Sequence, residues 1–124
     1  MKIIIDTSVL ISFAMQNSKA IDIFNKIESK EYIMFVSPDI LFEYKNVLRL
    51  KKIKFSSEKQ KEILDKVNQL ATKVIPDKEI KFSRDKYDSP FLSICEYIDA
   101  DILFTQDKTL QKAGHLIKAK IESI

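Results

Sequence analysis

Three short runs of unbroken apolar residues, Ile3 to Ile5, Tyr32 to Val36 and Ile102 to Phe104, constrain this chain more than any other feature. A strand with one wet face alternates apolar and polar residues; a strand that does not alternate is covered on both faces. A weaker run, Lys73 to Ile75, reads as an edge strand. Between the runs the apolar period becomes helical. Ala20, Ile23, Phe24 and Ile27 form one stripe, and Ile40, Leu41, Tyr44, Val47 and Leu48 a second. Ile63, Leu64, Val67, Leu70 and Ala71 form a third, opened by Ser57 with Gln60 three residues on, the pattern of a capping box. Phe91, Leu92, Cys95 and Ile98 form the fourth. Doubly covered strands alternating with helices require crossover connections. The expected fold is therefore α/β, a three-layer α/β/α sandwich around a mostly parallel sheet of four to five strands.

With 124 residues and no linker or repeat, the expectation is one domain over 1–124, large enough to bury a core. A 45% hydrophobic and 31% charged composition excludes a disordered chain. One cysteine, Cys95, permits no internal disulfide and suits the cytoplasm; it falls on an apolar stripe and reads as core. No stretch reaches the ~20 apolar residues of a membrane helix. Asp6 also breaks the first apolar run before it could serve as a targeting core. Gly114 is the single glycine, which excludes a phosphate-cradling Gly-rich loop. The net charge of +3 admits a nucleic-acid partner only if the basic residues are concentrated locally.

Four acids follow strands or open helices: Asp6, Glu43, Asp88 and Asp107. Each has an ordinary structural reading. Asp6 and Asp107 suit helix N-caps, although Thr7 or Ser8 would cap the first helix equally well. Asp88, just before Ser89 and Pro90, suits pairing with a helix dipole. Glu43 sits at the edge of its apolar stripe, where a side chain is partly desolvated yet able to reach a cleft. Asp39, beside Pro38 in a first helical turn, is satisfied by the dipole alone. Taken together, the four acids gain weight. Parallel neighbouring strands would gather them at one end of the sheet, where they repel one another unless a hard divalent cation, Mg²⁺ or Mn²⁺, neutralises them.

The segments Ile3-Ile4-Ile5-Asp6-Thr7-Ser8, Val36-Ser37-Pro38-Asp39-Ile40-Leu41-Phe42-Glu43-Tyr44, Asp88-Ser89-Pro90-Phe91-Leu92 and Ala100-Asp101-Ile102-Leu103-Phe104-Thr105-Gln106-Asp107-Lys108 together resemble the PIN-domain nucleases, in that family's order. The resemblance implies that Asp6, Glu43, Asp88 and Asp107 surround one or two divalent ions. Thr105 looks like the family's orienting hydroxyl or amide residue, and Thr7 beside Asp6 is taken as a second supporting hydroxyl. It also implies RNA as substrate, hydrolysed by a metal-activated water. Small members of this type are often toxins held inactive by an antitoxin protein, and homodimers are common. One departure is that Lys86 and Tyr87 precede Asp88, where similar members often carry another acid.

Lys45, Arg49, Lys51, Lys52 and Lys54 follow Glu43 closely and are the candidate RNA track, against the plainer reading of a solvated lysine-rich face. His115, far from any cysteine, reads as neither a zinc ligand nor a base. Two alternatives stand beside the nuclease. One is a phosphoacceptor receiver domain, in which Thr105 and Lys108 would be switch residues, although the chain lacks paired acids after its first strand. The other is a non-catalytic module of PIN-like fold that holds RNA or protein.

Overall fold

The computed structural model describes residues 1–76 and 89–124. Its elements in chain order are β1 (Lys2–Ile5), α1 (Thr7–Ala14), α2 (Ser18–Glu28), β2 (Ile33–Val36), α3 (Pro38–Leu48), α4 (Ser57–Leu70), β3 (Thr72–Lys73), α5 (Ser89–Ile98), β4 (Ile102–Thr105), α6 (Lys108–Lys112), a 3-10 turn (Ala113–Leu116) and β5 (Lys120–Ser123). The strands form one sheet in the order β3-β2-β1-β4-β5, and every pairing is parallel. The expected three-layer α/β/α architecture is present, with five strands among the described residues. Receiver domains carry the order 2-1-3-4-5, so this topology removes that alternative.

The unbroken apolar runs are strands because only the sheet interior can hold them. Ile3, Ile4 and Ile5 have no exposed surface, and β4 is buried along its whole length. The helices pack with the faces their stripes announce: Ala20, Ile23, Phe24 and Ile27 from α2, Ile40, Tyr44 and Leu48 from α3, Ile63 and Val67 from α4. Cys95 is buried among the α5 residues Phe91, Leu92 and Ile94, as expected, and burial pushes its thiol far above the usual range. Tyr44, on the apolar stripe of α3, is fully buried.

Local signals explain the helix boundaries. Ser37 caps α3, its Oγ accepting the Ile40 N–H at 3.2 Å, with Pro38 in the first turn. The cap of α4 is Ser56, one residue before the expected Ser57: Ser56 Oγ accepts the Lys59 N–H at 3.0 Å. Gln60 reaches the Phe55 carbonyl, not the cap N–H, so no capping box forms. Gln16, Lys30 and Asp99, just past the ends of α1, α2 and α5, adopt left-handed φ values of 63°, 68° and 52°. Glycine usually occupies such positions. Among the described residues, no helix is long and apolar enough to cross a membrane.

Candidate active site

The chain steps from β1 to β2 to β3 on one side of β1, then returns to place β4 and β5 on the other. The order reverses between β1 and β4, and ligands of open parallel sheets bind beyond the carboxyl ends of the strands at such a reversal. Asp6 follows β1 and Thr105 ends β4, so both lie at this point. The two turns are joined directly: the Asp6 N–H donates to the Phe104 carbonyl at 3.0 Å.

Asp6 is 3% exposed, and its carboxylate accepts hydrogen bonds from Ser8, Val9 and Thr105. Oδ1 accepts from Ser8 Oγ at 2.5 Å and from the Val9 N–H at 3.2 Å, which makes Asp6 the N-cap of α1. Oδ2 accepts from Thr105 Oγ1. Both hydroxyls work in two directions. Ser8 Oγ accepts the Gln106 N–H at 2.9 Å, and Thr105 Oγ1 accepts the Asp107 N–H at 2.8 Å. Burial raises the Asp6 pKa, and the nearby Asp107 charge raises it further; the hydrogen bonds from Ser8, Thr105 and Val9 pull it down without cancelling the rise. Asp6 is thus at once a cap and a buried carboxylate set against a second one.

Asp107 is half-buried and caps α6, its Oδ1 accepting the Thr109 N–H at 2.8 Å and the Leu110 N–H at 3.4 Å. Glu43 is half-buried on α3. The next residue, Tyr44, donates its hydroxyl to the Ile5 carbonyl, pinning that turn of α3 to the end of β1. Burial, with the Asp6 charge as a smaller contribution, lifts the Tyr44 pKa well above its usual value, so the hydroxyl remains a donor. The Tyr44 ring lies 6.3 Å, centroid to centroid, from that of Phe91 on α5.

Comparison with known proteins gives the geometry a lineage. The family model described as PIN domain matches residues 2–109. The chain belongs to the PIN domain family. No curated protein sequence matches it. Among solved structures, the chain is similar to VapBC2 from Rickettsia felis, crystallised bound to a DNA fragment from their promoter. The TM-score is 0.69 and the identity 14%, over 100% of this chain and 99% of that one. It is also similar to PAE2754 from Pyrobaculum aerophilum, with a TM-score of 0.62 and 17% identity over 98% of this chain and 83% of the other. At these identities the likeness is one of fold.

In this PIN domain the structure brings Asp6 and Asp107 within electrostatic reach of each other and sets Glu43 on the helical turn anchored by Tyr44. Asp88 lies outside the described residues. Among the described residues, no group of three or more His, Cys, Asp or Glu side chains gathers as a metal cage. The donor set nevertheless fits a hard cation. Asp6 has both oxygens oriented, its charge is costly where it stands, and Asp107 adds like charge beside it. Two hydroxyls lie on Asp6, those of Thr105 and Ser8, while Thr7 is half-buried at the first residue of α1. A sequence signal for Ser8 exists in hindsight, since Asp6-Thr7-Ser8 and Thr105-Gln106-Asp107 are mirror-image pairings of acid and hydroxyl two residues apart. Lys45, Arg49, Lys51, Lys52 and Lys54 are all exposed, and none forms an ion pair among the described residues.

Proposed function

We propose that this PIN domain is a Mg²⁺- or Mn²⁺-dependent ribonuclease and the toxin component of a toxin-antitoxin pair. The observation that carries the reading is the buried, fully oriented Asp6 carboxylate at the reversal point of the sheet, with Asp107 beside it. In this reading Asp6, Glu43, Asp88 and Asp107 hold one or two cations. When bound, the cation supplies positive charge at the scissile phosphate and an acidified water for hydrolysis, chemistry that leaves 5′-phosphate and 3′-hydroxyl ends. The chain's own residues hold that arrangement. Thr105 directs one oxygen of Asp6 and fixes the amide of Asp107, while Tyr44 keeps the Glu43 turn against β1. Lys45, Arg49, Lys51, Lys52 and Lys54 would track the RNA backbone.

The PIN domain match and the fold likeness to VapBC2, a structure that includes promoter DNA, support a protein partner of the antitoxin kind. A homodimer and a cytoplasmic location belong to the same proposal. The deciding experiment is cleavage of a structured and an unstructured RNA by purified protein with Mg²⁺ or Mn²⁺, beside an EDTA control and the Asp6→Asn variant. Cleavage that needs both metal and Asp6 is expected; equal cleavage by Asp6→Asn would refute the assignment. Neutralising Lys51 and Lys52 should flatten the dependence of log affinity for single-stranded RNA on log salt by about 1.4, about 0.7 per lost phosphate contact. An unchanged slope would remove them from the track.

A further inference from the structure

We infer that Ser8 is a positioning residue for the metal-binding carboxylate, tethering the turn that carries Asp107 to Asp6 through a single hydroxyl. The inference rests on the ribonuclease reading and adds to it a residue outside the acidic set. Ser8 Oγ lies 2.5 Å from Asp6 Oδ1 and 2.9 Å from the Gln106 nitrogen. A backbone N–H can only donate, so the serine oxygen accepts from Gln106, and its one proton is directed to the carboxylate. Ser8 belongs to the first turn of α1, and Gln106 to the turn between β4 and α6, 98 residues later in the chain. The hydroxyl therefore does more than satisfy Asp6. It holds two turns from distant parts of the chain at a fixed separation, and each turn carries one acid of the pair.

Thr105 makes the equivalent bridge from within β4, to Asp6 Oδ2 and to the Asp107 N–H. The two hydroxyls thus grip opposite oxygens of one carboxylate, which fixes its plane as well as its position. Among the described residues, removing the Ser8 hydroxyl leaves Oδ1 with the Val9 N–H alone and frees the Gln106 amide, while the α1 cap survives. Alanine is also the best helix former, so α1 itself is not threatened by Ser8→Ala. Partners that orient ligating carboxylates typically contribute ten- to a hundredfold in metal affinity or activity.

The test compares wild type, Ser8→Ala and Ser8→Thr by Mn²⁺ titration calorimetry on metal-free protein, amide hydrogen exchange at Gln106, and RNA cleavage. Ser8→Ala is expected to exchange faster at Gln106, to bind Mn²⁺ about tenfold more weakly, and to lose kcat with little change in KM for RNA. Ser8→Thr, which restores a hydroxyl, is expected to recover Mn²⁺ affinity. Wild type that binds Mn²⁺ and cuts RNA while folded Ser8→Ala matches it within twofold in Mn²⁺ affinity would overturn this inference alone. Wild type that neither binds Mn²⁺ nor cuts RNA would overturn the ribonuclease reading and this inference with it.

Discussion

Replacing Thr105 with valine isolates one hydroxyl at the centre of the site. Thr105 has no exposed surface, so the substitution keeps the shape of β4 and removes only the polar contacts. Asp6 Oδ2 loses the Thr105 donor, a hydrogen bond to a charged group and thus about 1.5–3 kcal/mol. The Asp107 N–H loses its acceptor at 2.8 Å; being only partly buried, it costs about 1 kcal/mol. The added buried methyl returns about 0.8 kcal/mol. The net loss is about 2–3 kcal/mol, which in urea unfolding of a domain this size moves the midpoint down by roughly 1–2 M. Thr105→Ser, which keeps the hydroxyl and gives up a methyl, should cost only about 1 kcal/mol. The pH dependence gives a second check. Burial raises the folded-state Asp6 pKa above that of an ordinary aspartate, so the folded state holds the proton more tightly than the unfolded chain. That contribution is present at low pH and is lost as pH rises through the folded pKa. Losing the Thr105 donor raises the folded pKa further, so the valine penalty should be larger at pH 7 than at pH 4. A valine variant within about 0.5 kcal/mol of wild type, or a serine variant less stable than valine, would refute this account of the Asp6 environment.

Because asparagine does not titrate, Asp6→Asn should gain stability relative to wild type in metal-free protein as pH rises from about 4 to about 7; a stability difference in urea unfolding that does not change with pH would contradict it. Tyr44→Phe removes the hydroxyl bound to the Ile5 carbonyl and should cost about 1–2 kcal/mol, with faster amide exchange in α3 if that bond pins the helix to β1. Lys30→Gly relieves a left-handed residue at the end of α2, where φ is 68°. The strain of about 1–2 kcal/mol, less about 0.5–1 kcal/mol of added chain entropy, predicts a gain of about 0.5–1 kcal/mol in thermal or urea unfolding.

The strands that cross the middle of the molecule were readable because burial on both faces leaves them no polar residue to confuse the period, as in Ile3 to Ile5 and Ile102 to Phe104. β5 was not readable. Lys120-Ile121-Glu122-Ser123 has one apolar residue and is a strand because β4 offers it a parallel edge, residue by residue from Ile102↔Lys120 to Thr105↔Ser123. The α4 cap was misplaced by one residue because Ser56 and Ser57 are chemically identical, and only the backbone turn decides which oxygen faces the Lys59 N–H. Thr7 and Ser8 could not be told apart by sequence for a similar reason. Once Asp6 is the cap, the second helical residue, and not the first, turns its hydroxyl back to the carboxylate. Tyr44 was visible as part of an apolar stripe, but its hydroxyl's partner lies 39 residues away, beyond what a helical period can report.

The pairing of β1 with β4 has a consequence for the newly made chain. β1 finds β2 after about thirty residues, through Lys2↔Ile33 and Ile3↔Met34, but Thr105 is synthesised 99 residues after Asp6. At roughly 5–20 residues per second, Asp6 waits roughly 5–20 s before its second hydroxyl partner exists. During that interval neither Gln106 nor Asp107 exists to complete the surroundings of the carboxylate. Under the function proposed above, the site is thus incomplete on the ribosome, and its earliest moment of activity is set by the arrival of β4.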